Sequence, residues 1–271
     1  MSSMTAVPRI KFCGVARAED AEHAVALGAW AVGLVLWPGS KRACPPDVAA
    51  EIGAALQRRA EVAGVFVNAP LDEVAEAAEA YRLTLLQLHG DEGPSYCAEA
   101  ARRTGAKVIK AARVRASADV QALRAFHTDF HLLDAYAPGV PGGTGETFAW
   151  ELTREHPRDR PLILSGGLTA ENVGEAIAAA RPFAVDVASG IESAPGVKDH
   201  ARMDAFAAAV RATGASEEEV APEEAAPAAP AGAALDAAAR QAPGTAPERA
   251  APEAPEAAPE RAAPQAPEAA A

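Results

Sequence analysis

The chain is expected to fold as one α/β domain of the (β/α)8-barrel class, followed by a disordered tail rich in alanine, proline and glutamate. Short apolar runs alternate eight times with longer amphipathic stretches before Gly214, the pattern of repeated strand-helix units. Several runs end in glycine turns or proton-transfer groups, as barrel enzymes require at the carboxyl ends of their strands. Composition then breaks sharply near Gly214.

The first apolar run, Arg9 to Phe12, ends in the turn Cys13-Gly14, and a helical pattern follows from Ala18 to Leu27. Ala31 to Leu36 forms the second strand, with a helix over Pro46 to Leu56. Val62 to Val67 is the third, and its helix, Leu71 to Tyr81, carries Asp72 and Glu73 in the first turn, where carboxylates meet the positive end of the helix dipole. Leu85 to Leu88 precedes a helix over Pro94 to Thr104, and Lys107 to Ala111 precedes Ala118 to Ala125. Phe130 to Leu133 runs into Asp134 and is followed by a helix over Ala149 to His156. Leu162 to Leu164 leads to a helix over Ala170 to Arg181, opened by Thr169 ahead of Glu171-Asn172. Phe183 to Val187 is the last strand and His200 to Ala212 the last helix. A doubly wound open sheet is the second arrangement compatible with this order.

Strand alternation bears on the choice. If Cys13 faces inward, so does Lys11; if Asp134 faces inward, so do Phe130 and Leu132. The same phase choice turns Gln87, His89, Lys110 and Asp186 inward, so that two lysines meet two aspartates inside the barrel. Buried ions need such partners.

The 271 residues are 49% hydrophobic but only 5% aromatic, so alanine, valine and leucine must fill the interior. From Gly214 onward lie eleven acidic residues and three arginines, so eight of the twelve net negative charges belong to that segment. The body is only mildly acidic, which argues against a nucleic-acid surface. Leu235 is the only large aliphatic residue after Val220. Such a segment cannot bury enough apolar surface to offset its ordering entropy, and its prolines interrupt any helix. The expected organisation is therefore an amino-terminal extension (1–8), a catalytic barrel (9–213) and a disordered acidic tail (214–271). The tail reads as a solvated extension, with a tether or partner-docking segment as the alternative.

Three scattered cysteines, Cys13, Cys44 and Cys97, form neither a disulfide framework nor a zinc pair. Residues 1–9 lack the apolar stretch of a signal peptide, and the run Ala29 to Trp37 is too short to span a bilayer. The expectation is a cytoplasmic protein without membrane or nucleic-acid partners, a monomer being favoured. Glycine clusters follow three strands: Gly142-Gly143-Thr144-Gly145, Ser165-Gly166-Gly167 and Ser189-Gly190. Glycines let backbone N–H groups approach an anion, and the loops after strands seven and eight form the recurrent phosphate site of barrel enzymes. Gly143, Gly145, Gly166, Gly167, Ser189 and Gly190 are thus the phosphate-binding candidates, for a phosphorylated small molecule. None lies in a Gly-x-x-x-x-Gly-Lys-Ser/Thr loop.

These residues match a known pattern. Lys11-Phe12-Cys13-Gly14, Ser40-Lys41-Arg42, Gly64-Val65-Phe66-Val67-Asn68, Leu86-Gln87-Leu88-His89-Gly90 and Leu132-Leu133-Asp134 stand in order, followed by Gly142 to Gly145 with Phe148 and Trp150. Ser165-Gly166-Gly167-Leu168, Val185 to Glu192, Pro195-Gly196 and Lys198-Asp199 complete the set. From Arg9 to about Arg211 the chain resembles the phosphoribosylanthranilate isomerases of tryptophan biosynthesis. The resemblance implies conversion of N-(5-phosphoribosyl)anthranilate to 1-(2-carboxyphenylamino)-1-deoxyribulose 5-phosphate, an Amadori rearrangement needing no cofactor and no metal.

By that resemblance Asp134 is the acid that protonates the furanose oxygen and Cys13 the base that removes the C2 proton. Asp134 should then titrate high, whereas Cys13 needs an accessible thiolate, favoured by nearby positive charge. Arg42 would hold the anthranilate carboxylate, with Gln87, His89 and Asp186 also at the substrate. Asp186 either orients the substrate or pairs with a barrel lysine, and His89 either touches substrate or is a satisfied interior histidine. Cys44 and Cys97 read as small buried hydrophobes. Three positions depart from the family: Phe12 is larger than usual, Ala149 replaces an acidic residue, and Lys41 replaces a proline, leaving the loop before Arg42 less rigid. A histidine-pathway barrel isomerase would carry an aspartate at position 13, and a phosphate-binding barrel acting only as an interaction module is the non-catalytic alternative.

Overall fold

The computed structural model describes residues 7–134 and 150–215. The glycine run 142–145, Phe148, Ala149 and the tail after Ala215 lie outside them. Eight parallel strands form a closed barrel in sequence order: β1 (Arg9–Cys13), β2 (Ala31–Val35), β3 (Glu61–Phe66), β4 (Leu85–Leu88), β5 (Lys107–Arg113), β6 (Phe130–Asp134), β7 (Leu162–Ser165) and β8 (Ala184–Val187). The return pairing of β8 with β1, Lys11 opposite Asp186, excludes the open sheet.

Helices over Ala18–Ala26, Pro46–Ala55, Leu71–Ala80, Pro94–Thr104, Ser117–Ala122, Val173–Ala180 and His200–Ala215 surround the strands. The Ser117 helix is short and passes into a 3-10 turn, Leu123–Ala125. Within the described part of the expected 149–156 helix, residues 150–152 are helical and Thr153–Glu155 form a 3-10 turn. The next helix starts at Val173 rather than Ala170. Asn172 accepts from the Thr169 N–H at 2.8 Å and donates to the Gly167 carbonyl at 3.0 Å, a side-chain alternative to helical backbone pairing. The final helix continues to Ala215, and Gly214 lies against Val7. A small antiparallel hairpin, β9 (Glu192–Ala194) and β10 (Val197–Lys198), follows β8 and was not anticipated. Gly196 turns it with φ +83°.

Small and branched side chains fill the barrel: Ala31, Ala63, Leu85, Ile109, Ala111, Leu132, Ile163 and Ala184 form one buried cluster. The few aromatics concentrate beside it. Trp30, Phe130 and Phe183 stand with ring centroids 5.3 to 5.4 Å apart, and the Arg9 guanidinium lies 4.9 Å from the Phe183 ring. Trp30, Phe130 and Phe183 all sit at or just before the starts of their strands, at the end opposite Cys13 and Asp134. Phe12 points outward and meets Phe206 of the last helix edge-on at 6.5 Å, which accommodates its unusual size.

The alternation expectation holds for Lys11, Phe130, Leu132 and Asp186 but fails for Lys110. Ile109 and Ala111 take the inward positions on β5. Lys110 therefore faces the other way, donating to the Gly90 carbonyl at 2.7 Å and pairing with Glu92 at 3.0 Å. Only one of the two expected lysines, Lys11, lies inside the barrel.

Outside β6, His131 and His156 form a buried pair. His131 Nε2 donates to the Phe126 carbonyl at 2.9 Å, so Nδ1 accepts from His156 Nε2 at 3.0 Å, and His156 Nδ1 accepts from the Arg158 N–H at 3.2 Å. Both rings must stay neutral. Burial, reinforced by His131, lowers the His156 pKa from 6.5 to about 4. The unfolded chain therefore binds the proton first as pH falls, and this contribution to stability, complete above pH 6.5, is lost between about 6.5 and 4. Chemical denaturation should show on the order of 3 kcal/mol more loss across that window in the parent than in His156→Gln. Parallel pH profiles for the two proteins would refute the assignment.

Candidate active site

The site grows from the carboxyl end of β1. Lys11 and Cys13 occupy alternate, inward positions, and Lys11 is fully buried. Such an ammonium is tolerable only with a partner. Its Nζ donates to Asp186 Oδ1 at 2.7 Å, and Asp186 Oδ2 accepts from Ser165 Oγ at 3.0 Å. Strands β1, β7 and β8 are thereby joined through side chains as well as backbone. Gly33 on β2 supplies the space: a Cβ there would lie 2.8 Å from Cys13 Sγ and 2.9 Å from Lys11 Nζ.

Burial works to lower the Lys11 pKa, but Asp186 and Cys13 outweigh it and hold the ammonium charged. For Cys13 the balance goes the other way. Burial and then the Asp186 charge raise its pKa, while Lys11 and Lys198 only partly oppose them. The expected positive neighbours are present, but the free site holds Cys13 as a thiol rather than a ready thiolate. Burial likewise raises Cys44 and Cys97 to about 11, in keeping with their packing role.

Across the mouth, β4 and β6 contribute the second group. Asp134 Oδ2 lies 3.4 Å from His89 Nε2, and His89 Nδ1 lies 3.1 Å from Gln87 Nε2. With the amide nitrogen as donor, His89 carries its proton on Nε2, toward Asp134. Gln87 Oε1 is buried with no hydrogen-bond partner among the described residues. Glu92 accepts from the Asn68 and Gly90 N–H groups at 2.7 and 2.9 Å as well as from Lys110. The Glu92–Lys110 pair thus fixes the loop carrying His89 from outside the barrel.

Arg42 follows β2, and its side chain lies over Gly14, where a Cβ would stand 2.8 Å from Arg42 Cδ. Nε and Nη2 both donate to the Glu192 carboxylate at 2.7 Å. Ser40 Oγ accepts from the Arg42 N–H at 3.0 Å, a side-chain turn that braces the loop across Lys41. The loops after β7 and β8 meet at Gly190, where a Cβ would lie 2.0 Å from the Leu168 carbonyl oxygen. Gly166, Gly167, Ser189 and Gly190 are therefore brought together, with Gly166 and Gly167 at φ +100° and +63°. Gly143 and Gly145 lie outside the described residues. Glu192, Lys198, Ser165 and Gly33 went unassigned on sequence; Glu192 and Lys198 stand within recognisable motifs, whereas nothing local marks Gly33.

A closed parallel barrel with a thiol, a carboxyl group and two glycine-bearing loops gathered at the carboxyl ends of its strands is a (β/α)8-barrel enzyme site for a small substrate. Residues 10–209 match the family model described as N-(5'phosphoribosyl)anthranilate (PRA) isomerase, and the chain belongs to that family. It is 49% identical over 207 residues to the N-(5'-phosphoribosyl)anthranilate isomerase of Acidithiobacillus ferrooxidans, covering 76% of this chain and 98% of that one. The solved phosphoribosyl anthranilate isomerase of Thermotoga maritima superposes with a TM-score of 0.67 at 39% identity, covering 76% of this chain and 99% of that one. A phosphoribosyl anthranilate isomerase solved in complex with reduced 1-(o-carboxyphenylamino)-1-deoxyribulose 5-phosphate gives a TM-score of 0.65 at 37% identity, with the same coverage. The protein is accordingly an isomerase of tryptophan biosynthesis acting on N-(5-phosphoribosyl)anthranilate.

The packing over Gly33 generates a test. Gly33→Ala must displace Cys13 Sγ or Lys11 Nζ, both under 3.0 Å from the added carbon. Misplacement on this scale should lower kcat/KM by about tenfold or more. Gly93→Ala, with nothing within 4 Å of the new methyl group, is the matched control. Unchanged kinetics in a folded Gly33→Ala protein would show that the hollow is not needed.

Proposed function

We propose that this chain performs the Amadori rearrangement with Asp134 as general acid and Cys13 as general base. The observation that carries the reading is the placement of both groups inward at the carboxyl ends of β6 and β1, on either side of the loops after β7 and β8. Protonation of the furanose oxygen by Asp134 breaks the ring carbon–oxygen bond and leaves an iminium ion. The Cys13 thiolate then removes the C2 proton, giving an enolamine that tautomerises to the aminoketose.

Arg42 receives the anthranilate carboxylate and Gln87, whose buried Oε1 has no partner among the described residues, accepts a hydrogen bond from the substrate. His89 bridges Gln87 to the acid and lies at the substrate. Asp186 acts through Lys11, holding the cation beside Cys13. Backbone N–H groups at Gly166, Gly167, Ser189 and Gly190 bind the phosphate, joined on sequence grounds by Gly143 and Gly145. No helix among the described residues is long and apolar enough to cross a membrane. Only Val7, Trp37 and Val197 are exposed large hydrophobics among those residues, which supports a monomer.

The deciding assay mixes the protein with freshly generated phosphoribosylanthranilate and follows loss of its fluorescence, then repeats it with the aminoimidazole substrate of histidine synthesis. Turnover of the first alone is expected. Cys13→Ser and Asp134→Asn should each reduce kcat by about 10²- to 10⁴-fold without loss of fold; near-parental rates in either would sink the assignment. Because the Cys13 pKa is raised, the thiolate fraction grows through neutral and mildly alkaline pH. kcat/KM should therefore climb up to about tenfold per pH unit below that pKa, and a flat acid limb would exclude Cys13 as base. Removing the residues after Ala215 should leave turnover and melting temperature unchanged, since they offer almost no large apolar side chains; loss of either would show that the tail docks on the barrel.

A further inference from the structure

The hairpin after β8 offers no proton donor or acceptor to the reacting atoms, yet it carries a tightly bonded ionic cluster at the barrel mouth. Glu192 is only 6% exposed. It accepts from Arg42 Nε and Nη2 at 2.7 Å each, and the same Oε1 accepts from Lys198 Nζ at 3.0 Å. Lys198 Nζ also donates to the Ala188 carbonyl at 2.9 Å, while Arg202 Nη1 donates to the Glu192 carbonyl. Backbone contact completes the clamp, since a Cβ at Gly196 would stand 2.8 Å from the Lys41 carbonyl oxygen.

We propose that Glu192 and Lys198 are positioning residues that aim Arg42 at the aromatic carboxylate of the substrate and thereby set selectivity for carboxylated ligands. This rests on the assignment of Arg42 to that carboxylate. A guanidinium offers two bidentate edges. Glu192 occupies the Nε–Nη2 edge and fixes the plane, which leaves the Nη1–Nη2 edge for a second carboxylate. Lys198 completes the charge balance. Arg42 with Glu192 alone is a pair of zero net charge, whereas the trio with Lys198 carries one positive charge. Glu192 and Lys198 are buried while Arg42 is partly exposed; a buried ion pair is a poor source of stability compared with apolar packing, so its placement against Arg42 calls for a role in recognition.

The test uses the full chain and two probes, the reduced product and its counterpart lacking the ring carboxylate, with KM and kcat measured alongside. Glu192→Gln and Lys198→Met should each weaken the carboxylated probe by about ten- to a hundredfold; Glu192→Gln should raise KM more than it lowers kcat, whereas Lys198→Met also removes a cation that favours the Cys13 thiolate. The loss of affinity for the carboxyl-free probe should be smaller by about fivefold or more: Lys198 holds the Ala188 carbonyl beside Ser189, but neither variant touches Gly166 and Gly167 on the loop after β7. Combining Glu192→Gln with Arg42→Ala should weaken the carboxylated probe no further than Arg42→Ala alone. If Glu192→Gln does not fold, Glu192→Asp, which keeps the charge but shortens the reach, carries the same expectation. Equal weakening of both probes, or full additivity with Arg42→Ala, would mark a purely structural cluster and overturn the inference. If Arg42→Ala loses selectivity while the Glu192 and Lys198 variants keep it, the inference fails and the assignment of Arg42 stands. If Arg42→Ala itself keeps it, both fall.

Discussion

The ion pair between Lys11 and Asp186 is the constraint on which this site depends. It lies at the seam where β8 returns to β1, against an apolar interior of alanine, leucine, isoleucine and Phe130. Neither charge is tolerable alone there, so the two tie the closing strands together at 2.7 Å, with Ser165 taking the second Asp186 oxygen. Closure and chemistry share the same atoms. The cation that neutralises Asp186 also adjoins Cys13, and the strand holding Asp186 leads into the loop of Ser189 and Gly190.

A second constraint is space. Gly33, Gly14 and Gly190 each sit where a Cβ would collide with Cys13, Arg42 or the Leu168 carbonyl respectively. The mouth is assembled as much by absent side chains as by those present. Burial in so crowded a place raises the Cys13 pKa despite two nearby lysines, so the free site favours the thiol over the thiolate.

Most of the architecture was legible in the sequence because strand alternation and helix periodicity are local signals. Leu85–Leu88 and Pro94–Thr104 were read to the residue. The inward face of β6 followed from Phe130, Leu132 and Asp134 lying two apart. Charge balance favours Lys110 inward, but β5 follows its apolar residues, Ile109 and Ala111, and the lysine finds Glu92 on the outside. The hairpin of Glu192 and Lys198 escaped notice because two- and three-residue strands leave no periodicity, and its partner, Arg42, lies 150 positions away in the chain. Gly33 escaped for a related reason: nothing beside it in sequence reveals that Lys11 and Cys13 will share its hollow.

The aromatic trio of Trp30, Phe130 and Phe183, with Arg9 against the last ring, stops the barrel at its amino end. Between that trio and the site the interior is packed with Leu85, Ile109, Leu132 and their neighbours, so the mouth is a shallow cup rather than the end of a tube. Whatever enters past Arg42 and the glycine loops must leave by the same doorway, so successive molecules queue instead of flowing through. Substrate and product then compete for one volume, and accumulated product slows the enzyme by simple occupancy, a brake that requires no second binding site.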